Sequence, residues 1–160
     1  MIRITIISVG KIKEKYFAAA IDEYVKRLKR YASVDITELK DEPVPESLSE
    51  SERLFVLKKE GQRVLEKIPA GALAVALCVE GKQLSSEEMA EYINNAVLSG
   101  QSRIVFIIGG SLGLSDEVKK RADFKLSFSK MTFPHRLMKV ILLEQIYRAF
   151  TIIEGKTYHK

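Results

Sequence analysis

Apolar runs of strand length alternate along this chain with segments whose apolar residues recur at steps of three and four. That alternation constrains the fold more than any other feature, because only a layered α/β domain buries both patterns at once. Ile2–Val9 is β-branched and apolar and closes on Gly10; Phe17, Ile21, Tyr24, Leu28 and Tyr31 then mark one helix face. Val34–Leu39 reads as a second strand, and the polar stretch 41–50, with Pro43 and Pro45, as a mobile loop. Ser49 with Glu52 makes a capping box that opens a helix with Leu54, Leu57, Val64 and Ile68 on its apolar face, ended by Pro69 and Gly71. Leu73–Val79, unbroken in apolar character, suits a central parallel strand covered on both faces.

The pattern then repeats. Ser85 and Glu88 form a second capping box before Met89, Ile93, Ala96 and Val97, and Gly100 stops that helix. Arg103–Ile108 is a fourth strand, and a short helix follows from Ser115 with Asp116 and Glu117 at its positive end. Leu126–Phe128 reads as a fifth strand, and Pro134 starts a last helix bearing Leu137, Val140, Ile141, Glu144, Tyr147 and Arg148. Five strands and five helices in alternation predict a single α/β domain over 1–160, with a mostly parallel sheet and helices on both faces. At 160 residues and 46% apolar composition such a domain can bury a real core.

Composition narrows the setting. No apolar run reaches the ~20 residues of a membrane span, and MIRITIISVGK lacks the layout of a signal peptide. The one cysteine, Cys78, can form no internal disulfide, so the expected compartment is the reducing cytoplasm. The net charge of +5 is unevenly spread: residues 1–40 carry nine Lys/Arg against five acids, and 116–160 ten against five. Residues 41–60 reverse the balance, with six acids against three bases. Basic ends favour a polyanionic partner, although a solvated surface has the same composition.

Chemistry in an open parallel sheet belongs at the carboxyl ends of the strands. Three loops of unusual composition fall there: Glu80-Gly81-Lys82, Gly109-Gly110-Ser111-Leu112-Gly113, and the segment 127–135. The glycine turn is neither a dinucleotide fingerprint nor a Walker loop, since Ser111 takes the place of the second glycine and no Gly-Lys-Ser/Thr follows. It is an ordinary turn or a backbone that lets a flat ligand pass close. The third loop mixes hydroxyls, Lys130, Met131, Phe128 and Phe133, which predicts packing against a ligand, a second subunit or its own core. Only two histidines exist, without metal-ligand spacing to Cys78 or to paired acids, so no metal site is expected. Cys78 reads as core and His135 as a helix-entry residue. Such scarcity of catalytic groups suits chemistry carried by a cofactor. The end Tyr158-His159-Lys160 either frays or reaches into a nucleic-acid or neighbouring-subunit site.

Seven segments, taken in order and spacing, carry a resemblance over essentially the whole chain. They are Val9-Gly10-Lys11, Glu60-Gly61, Gly81-Lys82, 107–113, 126–135, 144–150 and Tyr158-His159-Lys160. The chain resembles the bacterial ribosomal large-subunit pseudouridine methyltransferases of the SPOUT superfamily. That resemblance implies a SPOUT-type α/β fold with a C-terminal trefoil knot, and a homodimer with its active site near the interface. It implies S-adenosylmethionine as methyl donor, without a metal, held by Leu77, Gly109, Phe128, Ser129, Lys130, Met131, Thr132 and Phe133. The implied reaction is methylation of N3 of a pseudouridine in 23S rRNA within the large subunit or assembled ribosome. Arg148, Tyr158 and His159 are the expected catalytic residues, the last two from the partner subunit. Lys11, Lys13, Lys15, Lys26, Arg27, Lys29 and Arg30 are expected to meet rRNA phosphates. Three other readings compete: a methyltransferase of tRNA or another rRNA base, a non-catalytic RNA-binding or ribosome-assembly factor, and a flavodoxin-like nucleotide-binding module.

Overall fold

In the computed structural model, which describes all residues 1–160, the elements run β1 (Ile2–Val9), α1 (Lys15–Leu28), β2 (Ala32–Leu39), α2 (Glu50–Lys67), β3 (Leu73–Gln83), α3 (Ser86–Leu98), β4 (Arg103–Ile108), α4 (Asp116–Arg121), β5 (Phe124–Ser127) and α5 (His135–Ile153). The five strands form one sheet in the order β2-β1-β4-β3-β5, and every neighbouring pair is parallel. Both capping boxes are present: Ser49 accepts from the Glu52 amide and Ser85 from the Glu88 amide, with each glutamate reaching back to its cap. Ser115 caps α4 in the same way, accepting from the Val118 amide.

Strand alternation sends side chains to two cores of unequal size. Ile4, Ile6, Ile104 and Phe106 join a cluster of 20 buried residues beneath α1, α3 and α5; Ile7, Val9, Val105 and Ile107 join one of only 11 beneath α2 and α4. The core on the second side is therefore the smaller one.

Four expectations shift. Leu54 is exposed, and α2 instead buries Val56, Leu57, Glu60, Gly61 and Val64. A carboxylate and a glycine on that face hid its phase from apolar periodicity. Val97 likewise lies exposed while Met89, Ile93 and Ala96 are buried. β3 runs beyond Val79 to Gln83, and only Ala74, Val75 and Ala76 are fully covered. Its register on β5 also slips, so that both Leu77 and Lys82 face Leu126. β5 begins at Phe124 and not Leu126, because Asp123 exchanges hydrogen bonds with Ala74 and starts the pairing there.

Candidate active site

The slip in β3 leaves Cys78–Gly81 outside the ladder, and Cys78, Val79 and Glu80 bound a cavity of about 700 Å³ at the carboxyl ends of β3, β4 and β5. Its walls are Leu77–Glu80, the turn Gly109–Gly113, and the segment from Ser127 through Pro134 apart from Lys130, with Met138 behind it. The last two are loops singled out by composition, whereas of Glu80-Gly81-Lys82 only Glu80 reaches the wall. The volume is typical of small-molecule sites.

Two glycines are needed for the shape. A Cβ on Gly109 would stand 2.5 Å from the Gly113 carbonyl oxygen, and one on Gly81 would stand 2.8 Å from the backbone of Lys125 and Leu126. In each case backbone meets backbone, which only glycine permits. Gly113 itself adopts φ +85° and donates its amide to the Gly110 carbonyl at 3.0 Å, closing the turn. In the third loop the Ser127 hydroxyl donates to the Ser129 carbonyl, and the Ser129 hydroxyl accepts from the Met131 amide. These bonds stiffen a loop that leaves Met131 exposed.

Of the residues expected to hold a cofactor, Leu77, Gly109, Phe128, Ser129, Met131, Thr132 and Phe133 line this cavity, whereas Lys130 does not. Cys78, expected in the core, is half-buried at its rim, where burial pushes the thiol pKa up and keeps it protonated. His135 does begin α5, but it also lines the cavity. Burial first, then the charges of Arg136 and Lys139, lower its pKa and favour the neutral ring.

Arg148, Tyr158 and His159 gather elsewhere. The Arg148 guanidinium donates from Nη2 and Nε to Glu144 Oε1 at 2.6 and 3.0 Å, and lies 4.8 Å from the centre of the Tyr158 ring. The Tyr158 hydroxyl donates to the same Glu144 oxygen at 3.2 Å; burial and that carboxylate raise its pKa, so it remains a protonated donor. Arg148 is always a donor, so His159 Nδ1 accepts from Nη1 at 3.1 Å, and Nε2–H is left to donate to Glu87 at 2.7 Å. The tail is thus tied down by three hydrogen bonds, and both imidazole nitrogens are occupied.

Glu144, which the sequence places on the last helix and in the segment 144–150, joins this group although it is not among the expected catalytic residues. Its i,i+4 spacing to Arg148 was the available signal. Ten residues of α5 separate Met138 at the cavity from Arg148, about 15 Å along the axis. One chain therefore does not bring the two groups together. A second, smaller cleft of about 350 Å³ sits at the opposite strand ends around Met1, Arg3 and Arg103, away from all of these residues. No three His, Cys, Asp or Glu side chains are grouped to hold a metal ion, and no helix is long and apolar enough to cross a membrane.

A parallel α/β sheet with a ligand-sized cavity built from backbone-tight loops at its carboxyl edge defines a small-molecule-binding α/β domain. Comparison with known proteins specifies it further. Residues 2–159 match the family described as "Predicted SPOUT methyltransferase", and the chain belongs to that family. It is 59% identical over 157 residues to the ribosomal RNA large subunit methyltransferase H of Alkaliphilus oremlandii, covering 98% of this chain and 99% of the relative. The protein of the same name from Carboxydothermus hydrogenoformans matches to the same extent, and that from Bacillus cytotoxicus at 57% identity. Among solved structures, a probable methylase family protein from Haemophilus influenzae superposes with TM-score 0.51 at 14% identity, over 99% of this chain and 70% of that one. The tRNA (m1G37) methyltransferase of Aquifex aeolicus gives TM-score 0.53 at 15% identity, over 91% and 69%. Both show likeness of fold alone.

Proposed function

We propose that this protein methylates N3 of a pseudouridine in 23S rRNA, using S-adenosylmethionine, as a cytoplasmic homodimer whose C-terminal half forms a trefoil knot. The observation that carries this reading is the separation within one chain of a cofactor-sized cavity from the Arg148–Tyr158–His159 group, in a family of methyltransferases. Two copies complete the site if each cavity faces the partner's α5 and tail. The relatives named above, at 57–59% identity over nearly their whole length, support rRNA as the substrate.

The cavity suits the donor. Leu77, Leu126 and Phe128 offer apolar surface for a purine, and the glycine turn at Gly109 admits it without a Cβ in the way. When bound, S-adenosylmethionine supplies a methyl group already activated on a sulfonium sulfur, so N3 gains the methyl and releases one proton. The chain's own task is alignment and charge. Arg148, oriented by Glu144, stabilises negative charge developing on the uracil-like ring. Tyr158, its hydroxyl donating to Glu144, clamps the target with its ring, while His159 holds the Arg148 guanidinium from its other side.

Incubation of assembled ribosomes with the protein and isotopically labelled S-adenosylmethionine, followed by mass spectrometry of the rRNA, tests the reading. Label is expected on a single pseudouridine of 23S rRNA. Deletion of Tyr158–Lys160 is expected to abolish transfer while cofactor affinity holds. Label on another nucleoside, or undiminished turnover by the truncated chain, overturns it.

A further inference from the structure

Four of the six tyrosines, Tyr24, Tyr31, Tyr147 and Tyr158, meet where α1, α5 and the tail converge. Tyr31 is the most telling. One face of its ring stacks on buried Phe150, with centroids 5.5 Å apart and planes within 5°. Over the ring lie two cations, the Arg30 guanidinium at 5.1 Å and the Lys156 ammonium at 5.3 Å, the latter also donating to the Tyr31 hydroxyl at 3.2 Å. Phe150 fills one face of the ring, and the two cations border the rest within cation–π distance, Lys156 at its hydroxyl end. Glu154 braces both, at 3.9 Å from Arg30 and 2.8 Å from Lys156.

Such an arrangement does little for stability. Exposed ion pairs contribute ~0–1 kcal/mol, and the ring's inner face is already packed on Phe150. What it offers is a rigid aromatic surface bordered by a planar cation, the combination that grips bases splayed out of a helix. The ledge leads to the Arg148 group: Tyr31 meets the edge of Tyr147 at 6.1 Å, and Tyr147 meets Tyr158 at 4.9 Å. Lys26 in the last turn of α1 and Lys29 at its cap, both exposed and without an acidic partner, precede Arg30 and Tyr31 in the chain. Charge and stacking together fit a single-stranded polyanion.

We propose that Tyr31, with Arg30 and Lys156, binds an unpaired base of the substrate RNA neighbouring the nucleotide that is methylated. The inference rests on the methyltransferase reading above, and it changes Arg30 from a phosphate contact into a stacking partner. The neighbouring nucleotide then adds recognition through a site outside the cavity and next to the Arg148 group.

The test measures methyl transfer to assembled ribosomes under steady state, with cofactor affinity by calorimetry and oligomeric state by sedimentation. Arg30→Gln with Lys156→Gln is expected to raise the KM for ribosomes about tenfold, with cofactor affinity and sedimentation unchanged. Arg30→Lys, which keeps charge and loses the planar group, is expected to lose nearly as much as Arg30→Gln. Tyr31→Leu, which preserves an apolar neighbour for Phe150, is expected to match the double variant. Lys58→Gln with Lys67→Gln, an equal charge loss on the opposite side of the sheet, is expected to leave the KM as it was. A KM within twofold of the parent in the Arg30/Lys156 variant, full rescue by Arg30→Lys, or a changed oligomeric state overturns the proposal. If the parent protein transfers no methyl group to rRNA, the methyltransferase reading itself has failed, and retention of RNA on filters by the same variants still decides the ledge.

Discussion

Substitution of Gly109 by Ala puts the cavity reading at risk most directly. The added carbon would lie 2.5 Å from the Gly113 carbonyl oxygen and 2.6 Å from its carbon, where ordinary contact begins at 3.4 Å; the shortfall from the oxygen is 0.9 Å. Nothing flexible can yield, because both obstacles are backbone. Gly113 is held at φ +85° by its hydrogen bond to Gly110, so moving it opens the turn. Overpacking of this kind costs about 1–3 kcal/mol. If the turn reshapes to escape the clash, most of that cost reappears when a ligand demands the original shape, and each ~1.4 kcal/mol is a tenfold loss of affinity. Calorimetric titration with S-adenosylmethionine is therefore expected to show binding weakened about ten- to hundredfold. Circular dichroism should still report a folded α/β protein, since Gly109 lies beyond the last residue of β4. Affinity within twofold of the parent would refute the reasoning, because the turn would then be no wall of the site.

Two further perturbations read the α2 side of the sheet. Glu60 is buried beneath Gly110, with Oε2 accepting from the Glu42 amide and Oε1 unpartnered, and burial raises its pKa above the usual carboxylate value. The fold then binds more protons than the unfolded chain, so this carboxyl favours folding at low pH and loses that advantage as pH rises through its folded value. Glu60→Gln is accordingly expected to gain melting temperature over the parent as pH is raised from about 4.5 to 7, and a gap independent of pH would contradict this assignment. Gly61→Ala would drive its new methyl into the Ser115 hydroxyl that caps α4. Loss of that cap is worth about 0.5–2 kcal/mol in urea unfolding. Gly61→Ala with Ser115→Ala should therefore cost less than the two single changes added, and strict additivity would show that they do not interact.

How much was legible beforehand depended on the range of the interaction. Ser49 with Glu52 and Ser85 with Glu88 are contacts three residues apart, so both helix starts could be read directly. The strand β1 could be read because Ile2–Val9 carries its own hydrophobic pattern. The α2 face was misread at Leu54 because Glu60 and Gly61, two of its buried positions, do not look apolar. Nothing local marks the order β2-β1-β4-β3-β5 or the slip at Leu126, since both follow from which strands find one another. The site divides in the same way. Composition marks the glycine turn and the segment 127–135, whereas the link from His159 to Glu87 joins residues 72 apart and emerges only when α3 and the tail fold together.

The two helical layers cover cores of unequal size, and the smaller one adjoins the cavity. Leu114 and Val118 belong to the smaller core, and the turn that precedes them forms one side of the cavity. Regions with fewer buried contacts open at lower free-energy cost than the rest of a domain. The layer of α2 and α4 is accordingly expected to exchange its amide protons sooner than α1, α3 and α5, which sit on the larger core.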